Sequence, residues 1–184
     1  MGVFMANRTA LGIIRAFTEL IEESEFQKIS VDMIMEKAQV SRSTFYRHFK
    51  DKYDVMNAGY KRVFDHYASP EQSRNYRELC YNLFSFVQNR RRMVRRALET
   101  QGYNSFSNYV CSIAYDTALE ITRLNRGEGF TPAEALQVDV YCNGICAVFR
   151  NMVSRDYGLD AAAAADALYE MMPGSLKHYW WPEK

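Results

Sequence analysis

Apolar residues recur every three to four positions along most of this chain, which is the spacing of amphipathic helices. The pattern begins over residues 9–24, and the next three segments each start at a residue suited to capping a helix: Ser30, Ser41 and Asp51. Two breaks, "SPEQSRN" and "RGEGFTP", separate them from later helical segments. Thr131 and Asp160 are suited in the same way to cap the last two helical segments. The pattern predicts an all-α protein of about nine helices.

The lengths of these segments also indicate a domain organisation. Three short helices precede residue 51, and two of them are joined by a tight turn, which is the arrangement of a small helix-turn-helix bundle. We therefore predict a helix-turn-helix domain at residues 1–50, a connecting helix at 51–68 and a larger helical domain at 69–184.

The segment "VSRSTFYRHFKDK", residues 40–52, is two-sided. A helix that turns Phe45 and Phe49 inward presents a polar face made of Arg42, Ser43, Tyr46, Arg47 and Lys50. Residues 37–62 hold seven lysines and arginines and two aspartates, a balance of +5 in a chain whose net charge is +1. A local excess of cations on one face is what a phosphate backbone attracts.

The segment "ISVDMIMEKAQVSRSTFYRHFKDKYDVM" resembles the DNA-binding segment of TetR-family transcriptional regulators. The matching positions are Ser30, Ile34, Ala38, Val40, Ser41, Thr44, Phe45, Tyr46, His48, Phe49 and Lys52. Three positions depart from the family pattern: Gln39 replaces the turn glycine, Ser43 replaces the glycine before Thr44, and Glu25-Phe26 replaces the usual Gly-Phe. A left-handed turn is costly for Gln39, because it carries a Cβ.

The resemblance implies roles for these residues in the major groove of DNA. It implies that Arg42, Ser43, Thr44 and Tyr46 face base edges, and that Arg47 contacts guanine or a phosphate. It implies that Tyr46, His48, Lys52 and Ser30 hold phosphates, which set the register. The full set of expected DNA contacts is Ser30, Ser41, Arg42, Ser43, Thr44, Tyr46, Arg47, His48, Lys50 and Lys52.

The resemblance further implies that the larger domain pairs with a second copy and binds a small apolar effector. Pairing would use the last two long helices, near 132–157 and 160–172, and would match an operator with two-fold symmetry. The expected interface residues are Val138, Ile145, Phe149, Met152, Leu168, Met171 and Met172. The expected effector contacts are Tyr81, Phe84, Tyr103, Phe106, Tyr109, Tyr115, Tyr141 and Cys142.

The sequence favours a sequence-specific DNA-binding regulator, a repressor released by its effector, and leaves one alternative open. In that alternative the chain is a TetR-like co-activator that senses a protein partner, for which the arginine run 90–96 and the pair Trp180 and Trp181 are suited. In the simpler interpretation, the arginine run forms a solvent-exposed helix face, and the tail with Trp180 and Trp181 packs onto the rest of the chain.

Other chemistries have little support in the sequence. It contains no catalytic or metal-binding motif, so we predict neither an enzyme nor a bound cofactor or metal. The four cysteines are expected to be reduced core residues. Without a signal peptide or an apolar run long enough to span a membrane, the expected location is cytoplasmic.

Overall fold

The computed structural model describes residues 2–68, 72–102, 104–155, 157–174 and 177, with the backbone alone for residues 2–7. This part of the chain contains nine α-helices, one 3-10 turn at Phe26–Lys28 and no strand. The helices are α1 (Gly2–Glu23), α2 (Val31–Ala38), α3 (Arg42–His48), α4 (Lys52–Ala68), α5 (Tyr76–Asn89), α6 (Arg91–Leu98), α7 (Phe106–Arg126), α8 (Pro132–Ser154) and α9 (Ala161–Met171). The all-α prediction is confirmed. Tyr103, Trp180 and Trp181 lie outside the described residues.

The predicted capping residues stand at the helix starts. The side-chain oxygens of Ser30, Ser41 and Asp160 accept the backbone N–H of the residue three positions further on, at 3.2, 3.2 and 2.8 Å. These bonds satisfy donors that have no partner inside the helix. At α8, Thr131 and Glu134 form a reciprocal capping box with Pro132 at the first position.

Contacts divide the chain into two compact units. The first comprises residues up to Val63 together with Arg92–Phe106. Its core is built where α1, α2 and α3 pack on one another. The fully buried side chains there include Ile13 of α1, Ile34 of α2 and Phe45 of α3. Each such side chain contributes about 1.5–3 kcal/mol by leaving water, so this small bundle depends on very few residues.

The second unit comprises Phe64–Arg91 and residues from Ser107 onward. Within it α5 packs against both α8 and α9. Its buried cluster includes Phe84, Val138 and Leu168, and Tyr141 lies there with its hydroxyl donating to the Leu168 carbonyl at 2.8 Å. Burial raises the pKa of Tyr141, so its hydroxyl stays a proton donor in the core.

The cysteines divide into two pairs. Cys80 and Cys142 are free and buried, and burial raises the pKa of each thiol to about 12. Cys111 of α7 and Cys146 of α8 form a disulfide across a Cα–Cα distance of 6.1 Å. The expectation of four reduced cysteines is therefore wrong for this pair. The two residues are 35 positions apart, and only the packing of α7 on α8 brings them together.

Candidate DNA-binding site

The turn between α2 and α3 is made by Gln39, which has the left-handed conformation at φ 54° and ψ 44°. The Gln39 N–H donates to the Glu36 carbonyl at 3.1 Å, and the Val40 N–H donates to the Met35 carbonyl at 3.0 Å. These two bonds close the end of α2. Gln39 thus adopts the conformation that glycine adopts most easily, without being glycine.

Helix α3 is strongly two-sided. Phe45 is fully buried, and Phe49 just after the helix is 6% exposed. The two rings lie 6.1 Å apart, and Phe45 also meets Tyr46 edge to face at 5.3 Å. Arg42, Ser43, Tyr46 and Arg47 are exposed, which is the orientation that the sequence pattern predicted.

Three hydroxyl groups cluster at the start of α3. The Ser41 Oγ lies 3.0 Å from the Ser43 Oγ and donates to the Thr44 Oγ1 at 2.9 Å, while it accepts the Thr44 N–H. Ser41 and Ser43 are exposed, and Thr44 is half-buried. Hydroxyl groups donate and accept, so the cluster can meet either a phosphate oxygen or a base edge.

Arg42 is held over the same face. Its guanidinium lies 5.7 Å from the centroid of the Tyr46 ring and 3.9 Å from the Asp32 carboxylate. Hydrogen bonding to Tyr46, followed by the charge of that residue and of Asp32, raises the pKa of Arg42. The Asp32 pair is solvent-exposed and therefore weak, so Arg42 can exchange it for a phosphate or a base.

Lys52 differs from the expected phosphate contact. Its ammonium donates to the carbonyls of Phe26, Gln27 and Ile29 at 2.9, 3.4 and 2.7 Å. It also lies 4.5 Å from the centroid of the Phe26 ring, and burial lowers its pKa. An ammonium has three N–H groups, and three carbonyls take them. Lys52 thus holds the 3-10 turn in place, and its phosphate role stays a prediction.

The remaining expected contacts lie nearby in the first unit. Ser30 is exposed at the start of α2, and Lys50 is exposed with its backbone N–H donating to Asp54 Oδ2 at 3.0 Å. His48 is half-buried, and its Nε2 is buried with no hydrogen-bond partner in the described part of the chain. The Nε2 atom therefore faces the protein interior.

This arrangement is a helix-turn-helix DNA-binding domain. Residues 13–58 match the family model of the bacterial regulatory proteins of the tetR family. The N-terminal segment is therefore similar to the DNA-binding domain of that family.

Two solved structures have the same fold over nearly the whole chain. The dihydroxyacetone kinase operon activator DhaS is 16% identical, with a TM-score of 0.63 over 93% of this chain and 97% of its own. NalD, the secondary repressor of the MexAB-OprM multidrug efflux pump in Pseudomonas aeruginosa, is 20% identical, with a TM-score of 0.55 over 91% and 96%. No curated protein sequence matches the chain.

The expected effector residues that the structure describes are divided between the two units. Phe84, Tyr141 and Cys142 lie inside the core of the second unit, and Tyr115 packs against it. Tyr81 is exposed and Tyr109 is half-buried. Phe106 belongs to the first unit, where its ring meets Tyr60 at 5.1 Å. Most of these aromatic side chains hold the fold together.

The expected dimer residues are divided in the same way. Val138, Ile145, Leu168 and Met172 are buried in the core of the chain. Phe149 and Met152 are half-buried against the same core. Met171 is 70% exposed.

The sequence analysis overlooked the opposite face of α8. Leu136 and Val140 are each 66% exposed there, and Gly144 and Ala147 continue their line at helical spacing. On α9, Met171 is the large exposed apolar residue. The signal was present in the sequence as a second apolar stripe, 136, 140, 144 and 147, beside the one that fills the core.

The arginine run also has a structural explanation in part. The Arg96 Nη1 donates to the Ile21 carbonyl at 2.7 Å, and the Arg91 Nε donates to the Val153 carbonyl at 3.3 Å. Ile21 and Val153 lie in the last turns of α1 and α8, where carbonyls have no partner inside the helix. Arg92 and Arg95 are exposed. None of the helices in the described residues combines the length and the hydropathy needed to cross a bilayer.

Proposed function

We propose that this chain acts as a homodimer that binds an operator with two-fold symmetry and represses transcription until a small molecule releases it. The observation that carries the DNA-binding part is the two-sidedness of α3. Phe45 anchors the helix inside the bundle, while Arg42, Ser43, Tyr46 and Arg47 stand on its exposed side. A recognition helix needs this combination, because its buried face fixes the angle at which the exposed face enters the groove.

The proposed contacts follow from exposure and chemistry. Arg47 and Lys50 are exposed cations with no side-chain partner among the described contacts, so a phosphate or a guanine edge can take them. The hydroxyl groups of Ser41, Ser43 and Thr44 are proposed to contact phosphates, which set the register on the DNA, and base edges. Lys52 is left out of the proposed contact set, because backbone carbonyls hold it.

Pairing of two copies is proposed for the exposed face of α8, where Leu136 and Val140 lie. Large apolar side chains that stand in water on one helix face are typical of an interface. Two copies joined there would present two α3 helices, and a two-fold operator follows from that symmetry.

The direction of regulation is the least constrained part of the proposal. One structural neighbour is named an operon activator and the other a repressor, so the fold suits both. For the co-activator alternative, Arg92 and Arg95 are the exposed arginines of the run, whereas Arg91 and Arg96 donate to carbonyls at the ends of α8 and α1. A reporter gene behind the candidate operator, with and without the protein, measures the direction.

The DNA-binding test is a fluorescence anisotropy titration with DNA from upstream of the chain's own gene, at several salt concentrations. We expect Arg47→Ala to weaken binding by roughly tenfold or more, since a bidentate base contact is worth about 1–3 kcal/mol. Arg155→Ala removes an exposed arginine of the second unit and serves as the matched control. Equal loss in both variants, or binding independent of salt, would contradict the proposal.

A further inference from the structure

A cavity of about 460 Å³ opens in the second unit between α5, the end of α8 and α9. Its volume lies in the range of small-molecule sites, roughly 300–1,000 Å³. Nine of its twelve lining residues are apolar, and the other three are Gln88, Arg91 and Tyr157. None of the expected aromatic effector residues lines it.

The cavity has a charge at one place only. Arg91 is the single charged residue among the described residues that line it, and none of those is a carboxylate. The Arg91 Nε donates to the Val153 carbonyl, which fixes the plane of the guanidinium on the wall. The two terminal nitrogens have no partner among the described contacts, and their fork suits the two oxygens of a carboxylate.

The rest of the cavity wall is mostly apolar and suits a hydrocarbon chain. Leu168 and Val153 form part of its buried side. At the opening stand three large apolar side chains that are unusually exposed: Tyr157 and Leu159 at 47% each and Met171 at 70%. Exposed apolar groups gathered around a cavity mark a place where another molecule covers them. Arg91 is exposed, so a carboxylate can reach its guanidinium, whereas a cationic occupant would face a like charge.

We propose that this cavity binds an amphipathic carboxylate, with its apolar body against α8 and α9 and its carboxylate on Arg91. The proposal names the chemical class of the effector. It rests on the proposed function only in that binding of this ligand would be the event that releases DNA. Binding itself needs no DNA and is measured without it.

The test is isothermal titration calorimetry of the full chain with three probes of equal chain length: decanoate, 1-decanol and decylamine. We expect decanoate to bind, decanol to bind roughly tenfold more weakly or worse, and decylamine not to bind. Arg91→Gln is expected to weaken decanoate binding by a similar factor and to leave decanol unchanged. Arg91→Lys, which keeps the charge but loses the two-nitrogen fork, should recover only part of the affinity.

Two further variants locate the site. Arg92→Gln makes the same change one residue along α6, outside the cavity lining, and should leave decanoate binding intact. Ala167→Phe places a ring in the cavity from an exposed lining position, so it should abolish the binding of decanoate and decanol alike while the chain stays folded by circular dichroism.

Several results overturn the inference. They are decanol binding as tightly as decanoate, an equal loss in Arg92→Gln, and decanoate binding that survives Ala167→Phe. Binding that disappears at protein concentrations where sedimentation shows a dimer also overturns it, because a second copy would then cover the cavity. A chain that binds decanoate but not DNA contradicts only the proposed function, and a chain that binds DNA but not decanoate contradicts only this inference.

Discussion

The side chain of Lys52 shows how a cation near a DNA-binding helix can serve the fold. Its ammonium bridges three carbonyls around the 3-10 turn that joins α1 to α2. Sequence alone placed it among the phosphate contacts, because the resemblance carries a lysine at this position. The carbonyls that hold it lie 23–26 residues away in the chain, and no local pattern reveals such a contact.

Lys52→Met is expected to lower the free energy of unfolding by about 1–3 kcal/mol, because it leaves those carbonyls without their donor. Urea denaturation followed by circular dichroism measures the change. Lys50→Met is the matched control, since Lys50 is exposed two residues earlier. We expect it to change stability by less than about 0.5 kcal/mol and to weaken DNA binding instead. If only Lys50→Met lowered the free energy of unfolding, Lys50 would stabilise the fold and Lys52 would be the candidate DNA contact.

The turn residue Gln39 leads to a second prediction at this scale. A non-glycine residue in the left-handed region costs about 1–2 kcal/mol, and Gln39 is exposed, so its side chain contributes little packing to offset that cost. Gln39→Gly should therefore raise the free energy of unfolding by about 1 kcal/mol. Gln39→Ala keeps the Cβ and should not. If Gln39→Gly raises the melting temperature no more than Gln39→Ala does, the left-handed conformation of Gln39 is not strained.

Helices were predictable from sequence where their signals are local. The caps at Ser30, Ser41 and Thr131 and the inward Phe45 depend on residues within one or two turns, and the structure shows each of them. The pairing of Cys111 with Cys146 and the choice between two apolar stripes on α8 depend on how helices pack. Periodicity gives the position of an apolar stripe, whereas only packing decides which stripe fills the core.

The start of α8 gives a pH prediction at the scale of one element. Hydrogen bonds from the Arg126 guanidinium, at 2.7 and 3.0 Å, and then from the Thr131 N–H lower the pKa of Glu134 to about 2. An unfolded glutamate has a pKa of about 4.3. A lowered folded pKa stabilises the protein above the unfolded value, and this contribution is lost as the pH falls toward 2.

Glu134→Gln removes that contribution. We expect the variant to be less stable than the natural chain at pH 6, with the difference in unfolding free energy shrinking as the pH falls from about 4.5 toward 2. Urea denaturation at a series of pH values measures the difference. Glu120→Gln, on the exposed face of α7, is the control. A difference between Glu134→Gln and the natural chain that stays constant over this range would show that the carboxylate charge is not the cause.

For the whole molecule, the decisive question is which surface would join two copies in the proposed dimer. The apolar residues that are buried in α8, Val138 and Ile145, complete the core of one subunit, and this leaves Leu136 and Val140 on the outside. An interface needs apolar area that the subunit cannot cover by itself. The described residues therefore favour the outer stripe of α8 as the place where two recognition helices become linked.

Leu136→Glu is expected to convert the proposed dimer to a monomer, because it places a charge on that apolar face. Leu124→Glu is the matched control: Leu124 is a 78% exposed leucine on α7, outside the proposed interface, and its substitution should leave the dimer intact. Sedimentation velocity distinguishes the two species. The monomer should also bind a single half-site and a full operator with equal affinity, because it has lost the second recognition helix. If Leu124→Glu dissociates the dimer and Leu136→Glu does not, the interface lies on α7, and the spacing of the two α3 helices must be derived from that face.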